Sequence, residues 1–149
     1  MFKQVLLCYD GSKLGRGALR QGAELAILVG AQVHVLSCIS SDAPDPVVLA
    51  GAAGHTCLVD IDADYRELLD KSVEWLRERG LAAQGYLVKG NTLEQIVAHA
   101  KRLAVDLIVV GNYPRPTGGR WWSGPERQSL AERVNCAVFI AVDSDKARR

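Results

Sequence analysis

The sequence has almost no net charge, because 18 Lys and Arg residues are balanced by 17 Asp and Glu residues to give +1. It therefore lacks the strong positive field that binds nucleic acids or anionic membranes. No apolar run approaches the roughly 18 residues of a membrane span, and Asp10 ends the first apolar segment too early for a secretory signal. We expect a cytoplasmic protein whose partners include neither nucleic acid nor membrane.

The usual signatures of metal sites and of hydrolytic enzymes are missing as well. The cysteines form no C-x-x-C pair, and three of them lie inside apolar segments, as buried thiols do. The histidines are scattered and have no neighbouring nucleophile, so they indicate neither a triad nor a metal site. With no G-x-x-x-x-G-K-[ST] loop and no G-x-S-x-G elbow, the residues do not predict an enzyme. The cysteines are Cys8, Cys38, Cys57 and Cys136, and the histidines are His34, His55 and His99.

The composition is that of one folded domain. Apolar residues make up 48% and charged residues 23% of the 149 positions, which excludes disorder, collagen-like repeats and coiled coils. A chain of this length buries roughly two thirds of the surface that its unfolded state exposes. Since no repeat or linker divides it, we predict a single domain over residues 1–149.

Predicted strands and helices alternate along the chain. Runs rich in Val, Ile and Leu predict strands covered on both faces: Val5–Cys8, Val33–Cys38, Leu107–Val110, Cys136–Val142 and, more weakly, Gln84–Val88. Helical spacing of apolar residues predicts helices over Leu14–Val29, Ile61–Leu76 and Leu93–Ala104, with Gly30 and Gly80 as stops and Asn91 or Thr92 as an N-cap. A fourth helix begins near Pro125. Strands that alternate with helices imply a parallel α/β sheet.

Ligands of open parallel sheets bind beyond the carboxyl ends of the strands. The candidate ligand-binding residues therefore directly follow four of the strands: Tyr9–Ser12 after the first, Ile39–Ser41 after the second, Lys89–Asn91 after the third, and Gly111 onward after the fourth. Asp10 belongs to the first of these sets. Two long irregular segments, residues 40–57 and 112–123, leave the same edge, and loops of such length are usually functional.

Three motifs resemble the universal stress protein family. Val5–Ser12 (VLLCYDGS) is similar to its opening strand and turn, Val88–Ile96 (VKGNTLEQI) to the entry into its third helix, and Val105–Gly111 (VDLIVVG) to its fourth strand. The resemblance covers the chain from end to end. It implies a Rossmann-like α/β fold: an open five-stranded parallel sheet of order 3-2-1-4-5 with two helices on each face.

The resemblance also implies a nucleotide site, but this sequence departs from the glycine motif of the ATP-binding members at two positions. ATP-binding members carry Gly-x-x-Gly, nine residues and then Gly-(Ser/Thr) after the fourth strand; aligned from Gly111, these positions are Gly111, Pro114, Gly124 and Pro125. Pro114 and Pro125 offer no N–H to a phosphate. Ser123 and Glu126 are spaced as a capping box that would satisfy the donors of the fourth helix itself.

Other residues at this edge keep nucleotide binding open. The arginines around the loop can bind phosphate through their side chains, and in nucleotide-binding members the acid equivalent to Asp10 contacts adenine, although Asp-Gly-Ser is also good turn chemistry. For Trp121 and Trp122 we favour packing within the subunit or a dimer over stacking on a base. The candidate crevice, with ATP as its candidate ligand, comprises Asp10, Ile39, Gly111, Arg115, Gly124 and Arg127.

Two functional hypotheses follow from these residues. The first is a non-enzymatic universal stress protein that acts in the stress response as a homodimer and binds adenine nucleotides weakly or not at all. The resemblance implies a dimer through the last strand, Ala137 to Val142, whose apolar edge would otherwise be exposed. The alternative is an ATP-binding sensor with slow hydrolysis or autophosphorylation.

Overall fold

Five strands and four helices alternate in the computed structural model, which describes residues 1–9, 15–40, 61–112 and 124–142. The strands are β1 (Gln4–Cys8), β2 (Gln32–Ser40), β3 (Ala83–Gly90), β4 (Leu107–Asn112) and β5 (Ala137–Val142). The helices are α1 (Gly15–Val29), α2 (Ile61–Glu78), α3 (Thr92–Arg102) and α4 (Gly124–Arg133).

All strands pair in parallel, in the order β3-β2-β1-β4-β5. This confirms the α/β fold and the strand order 3-2-1-4-5. The centre of the sheet is β1, where Leu6 lies between His34 of β2 and Ile108 of β4. Because β1 and β4 have a neighbour on each side and helices above and below, their side chains form the centre of the core, and Leu6 and Ile108 are both fully buried.

Helices α1 and α2 cover one face of the sheet. A Cβ atom added at Gly22 of α1 would lie 2.5 Å from Leu7 Cδ2, and one at Gly85 of β3 would lie 2.9 Å from Val73 Cγ2 of α2. Leu7 and Gly85 stand in the same row across the sheet, joined through Val35 of β2. Both helices therefore pack on the same side.

Helices α3 and α4 cover the opposite face. The His99 ring of α3 meets the ring of Tyr86 edge-on, with their centroids 5.8 Å apart, and Tyr86 follows Gly85 along β3 and so points to the other side. Helix α4 lies beside α3, because Arg133 donates two hydrogen bonds to the Glu94 carboxylate at 2.6 and 2.9 Å. The predicted pair of helices on each face is thus observed.

The helix-stop glycines agree with the sequence predictions, whereas α2 runs two residues beyond its predicted end at Leu76 and α3 stops short of the predicted Ala104. Gly30 and Gly80 follow α1 and α2 with φ of 66° and 83°, as helix-terminating glycines do. The predicted third helix reaches Ala104, whereas α3 ends at Arg102 and Ala104 is exposed with φ of 50°. The reason is a Schellman-type ending, in which Val105 N donates to the carbonyl of Ala100 at 3.0 Å.

Candidate functional site

The carboxyl ends of three adjacent strands bring together the residues that the sequence marks for ligand binding. Tyr9 follows β1, and its backbone N–H donates to the Leu36 carbonyl of β2 at 3.0 Å. Because Leu7 pairs with Val109, Tyr9 is in register with Gly111 of β4, which is buried. Ile39 lies two positions beyond this level on β2 and is also buried. The edge formed by β2, β1 and β4 is the switch point where strand order reverses.

Helix α4 begins at the same edge. Gly124 is its first residue and follows the loop that leaves β4. Glu126 stands in the first turn and is exposed, so a negative charge lies where the partial positive charge of a helix N-terminus would attract phosphate. Pro125 occupies the first turn as predicted, since a helix needs no N–H from that position.

The remaining predicted site residues lie outside this description. Asp10 and Arg115 fall outside the described residues, as do Pro114, Ser123, Trp121 and Trp122. Arg127 is a residue of α4, but its side chain is not described. The described part of the crevice therefore contains Ile39, Gly111 and Gly124 of the predicted set.

An ion pair at the end of β3 was not foreseen from the sequence. Lys89 Nζ pairs with the Asp62 carboxylate, which joins the end of β3 to the first turn of α2. The Lys89 carbonyl in turn accepts a hydrogen bond from Gln95 Nε2 of α3 at 3.3 Å. No sequence spacing could have signalled this arrangement, because the three residues belong to different elements that only the fold brings together.

The cysteines near the edge are structural rather than reactive. Cys8 and Cys38 are buried in the sheet, as predicted, whereas Cys136 is half-buried. Burial, and secondarily the neighbouring Cys38, raises the pKa of the Cys8 thiol. Burial also raises the pKa of Cys38, partly offset by a hydrogen bond with Thr92. Thiols held protonated in this way are poor nucleophiles and metal ligands.

The two described histidines are buried away from the strand ends. His34 Nε2 donates to Gln4 Oε1 at 2.8 Å, and its Nδ1 lies 3.2 Å from the Tyr86 hydroxyl. His99 Nδ1 donates to the carbonyl of Gln95 at 2.8 Å. Both histidines thus have structural partners, as the sequence predicts for them.

In the described ranges, no group of three His, Cys, Asp or Glu side chains is placed to hold a metal ion. None of the helices within those ranges combines the length and the apolar character needed to cross a bilayer.

The universal stress protein family model matches residues 1–141. The chain belongs to the universal stress protein family. A curated relative, the universal stress protein Sll1388 of Synechocystis, is 24% identical in an alignment that covers 93% of this chain and 97% of the relative.

Solved structures of other universal stress proteins share the fold. The protein from Archaeoglobus fulgidus in complex with dAMP superposes with a TM-score of 0.62 at 21% identity, over 94% of this chain and 97% of that one. A universal stress protein in complex with cAMP superposes with a TM-score of 0.63 at 18% identity, over 93% and 96% of the two chains. At such identities the likeness establishes the fold of this universal stress protein.

Proposed function

We propose that this universal stress protein acts in the stress response without catalysing a reaction, by association as a homodimer through β5, and that its nucleotide crevice binds weakly or not at all. The observation that carries the proposal is the edge formed by β5. Phe139, Ile140 and Val142 are 38, 40 and 54% exposed. In the described part of the sheet, β5 pairs only with β4, so its outer backbone groups are available to another strand.

The other edge of the sheet makes a useful contrast. The exposed positions of β3 are Gln84, Gly85 and Lys89, which are polar or carry no side chain. Charged and polar residues on an edge discourage pairing with another strand, whereas exposed apolar residues favour it. Of the two open edges, β5 is therefore the one whose burial against a second copy is favourable.

The oligomeric state tests the association directly. We expect light scattering coupled to size-exclusion chromatography to find a dimer at micromolar concentration. Ile140→Lys should raise the dissociation constant at least about tenfold, because a charge in an apolar interface costs more than about 1.4 kcal/mol. Ile27→Lys is the matched control, since Ile27 is 47% exposed on α1. A monomeric unsubstituted protein, or equal effects of the two variants, would contradict the proposal.

Weak nucleotide binding rests on the chemistry of the loop after β4. ATP-binding members have backbone N–H donors at two positions where this chain has Pro114 and Pro125. Neither proline has an N–H. Glu126 adds a negative charge in the first turn of α4. Favourable phosphate contacts are thus removed at one end of the crevice, although the backbone edge formed by Tyr9 and Gly111 is retained.

A second candidate function is nucleotide sensing, and the relatives solved with dAMP and with cAMP favour it. Both ligands carry adenine and a single phosphate, so they need fewer phosphate contacts than ATP. In this version of the function, Asp10 would contact the base. The phosphate would be held by Gly111, Gly124 and the arginines near them in the sequence.

Calorimetry with ATP and Mg²⁺, and separately with dAMP, distinguishes these functions. We expect a dissociation constant weaker than about 100 µM for ATP. The double variant Pro114→Gly with Pro125→Ser should bind at least about tenfold more tightly, because it restores two N–H donors and a hydroxyl. Pro116→Gly is the control, since it loosens the same loop outside the motif. Micromolar binding that Asp10→Ala abolishes would instead support the sensor.

A further inference from the structure

We infer that a cavity between α1 and α2 binds a small organic anion with an apolar body, at a site separate from the strand-end crevice. The cavity has a volume of about 310 Å³, which lies at the lower end of the range for small-molecule sites. It is lined by Tyr9, Arg16, Leu19, Arg20, Leu68, Lys71, Ser72 and Trp75. All of these residues lie within the described ranges.

Apolar and aromatic side chains form the walls of this cavity. Tyr9 points from the end of β1 toward the face that α1 and α2 cover, and it is only 3% exposed. Leu19 comes from α1, while Leu68 and Trp75 come from α2, about two turns apart. The Arg79 guanidinium lies 3.7 Å from the centroid of the Trp75 ring and donates a hydrogen bond to the backbone carbonyl of Trp75. These two contacts hold the indole in place. A flat or aliphatic molecular body would find complementary surface here.

Positive charge is concentrated around the same cavity. Arg16 and Arg20 are one helical turn apart on α1, a spacing at which like charges repel. Arg16 stands at the positive end of α1, and the first turn of that helix contains no acidic residue. Within the described residues, neither guanidinium forms a salt bridge, whereas Lys71 across the cavity pairs with Glu67.

An anion would relieve this unfavourable arrangement. A carboxylate or phosphate can accept paired hydrogen bonds from a guanidinium, and two arginines one turn apart can hold it from one side. Ser72 is buried beside them, but its hydroxyl already donates to the Leu68 carbonyl at 2.8 Å. The positive charge needed for recognition therefore comes from the two arginines, since Lys71 is paired with Glu67, and the aromatic walls select the apolar body.

Of the described residues, Tyr9 belongs both to this cavity and to the edge of the proposed nucleotide crevice. The crevice lies at the ends of β2, β1 and β4, whereas the cavity extends from Tyr9 between α1 and α2. Within the described ranges, the lining includes no residue of β4 or α4, so binding in the cavity goes beyond the proposed function. The shared chemistry of its ligands is an anionic head, carboxylate or phosphate, on an apolar body.

Protein-observed NMR with defined probes tests the site. We expect 2-naphthoate and phenyl phosphate to shift the Trp75 indole N–H and the backbone amides of Ser72 and Leu19 saturably, with dissociation constants of about 1 mM or tighter. Neutral 2-naphthol should bind at least about tenfold more weakly than 2-naphthoate, because it has the same ring system without the charge. A larger effect of phenyl phosphate than of 2-naphthoate would identify phosphate as the preferred head group.

Charge variants decide whether the arginines carry the binding. Arg16→Gln with Arg20→Gln should weaken 2-naphthoate binding at least about tenfold. The control is Arg66→Gln with Lys101→Gln, which removes the same charge from exposed positions outside the cavity and should leave the affinity unchanged. Absence of saturable shifts, equal binding of 2-naphthol, or equal loss in both double variants would overturn the inference.

Discussion

At the scale of single residues, two glycines of α1 illustrate how packing determines what a position tolerates. Gly22 faces the sheet, where a Cβ atom would lie 2.5 Å from Leu7 Cδ2 and 3.2 Å from Val109 Cγ1. Gly17 is on the same helix, yet a Cβ atom there would have nothing within 4 Å. The glycine at position 22 therefore permits close approach of the helix to the sheet, whereas position 17 has no such requirement.

Replacing each of these glycines by alanine should change stability in opposite directions. Gly22→Ala should destabilise by about 1–3 kcal/mol, because the core must shift to admit the methyl group. Gly17→Ala should stabilise by about 0.4–1 kcal/mol, because it improves helix propensity and restricts the unfolded chain. Urea unfolding of the two variants measures both changes. Stabilisation by both substitutions would show that α1 packs less closely on Leu7 and Val109, and destabilisation by both would contradict the expectation for Gly17.

At the scale of secondary-structure elements, α3 shows how local sequence chemistry defines a helix. Its N-cap is Asn91, whose side-chain oxygen accepts a hydrogen bond from the Glu94 N–H at 3.0 Å. The sequence prediction left Asn91 and Thr92 open for this role, and the structure selects Asn91. At the other end, His99, Lys101 and Arg102 place basic side chains in the last turn, where they interact favourably with the helix dipole.

Removing the cap should destabilise the protein measurably. Asn91→Ala leaves an N–H of the first turn without its acceptor, and we expect a loss of about 1 kcal/mol in the free energy of unfolding. Asn91→Asp keeps an accepting oxygen and serves as the control, with stability close to that of the unsubstituted protein. Equal destabilisation by both substitutions in denaturant unfolding would contradict the assignment of this hydrogen bond.

At the scale of the whole molecule, a polar network around the buried His34 joins β1, β2 and β3. His34 of β2 donates to Gln4 of β1 and faces the Tyr86 hydroxyl of β3, which donates to Gln84 Oε1 at 2.9 Å. Burial, and then the positive charge of Arg102, lowers the pKa of His34. The folded protein therefore favours the neutral imidazole.

This lowered pKa makes stability depend on pH in a defined direction. Below about pH 6.5 His34 binds a proton in the unfolded chain more readily than in the folded protein. The free energy of unfolding should therefore fall with decreasing pH. Above that pH the imidazole is neutral in both states and contributes no slope. We expect a smaller loss between pH 7.5 and pH 5 in His34→Gln, measured by urea unfolding. An identical slope in both proteins would show that His34 protonates equally easily in both states.

Across the whole molecule, features that depend on local sequence could be predicted, whereas features that join distant residues could not. The strands and three helices were predictable because β-rich runs and helical spacing are local signals, as at Val5–Cys8. The end of α3 at Arg102 was not predicted, since the left-handed conformation at Ala104 leaves no mark in the apolar pattern. The Lys89–Asp62 pair and the cavity between α1 and α2 join residues that are distant in sequence.

The sequence alone determined the element order, the family resemblance and the presence of Pro114 and Pro125, two residues without an N–H, because each depends on the identity or spacing of nearby residues. Tertiary structure decided which elements share a face, that β5 leaves apolar side chains exposed, and that Arg16 and Arg20 meet Trp75 across a cavity. These features depend on how helices and strands pack in three dimensions. Helical and strand periodicity specifies which side of an element is buried, but not which other element it meets.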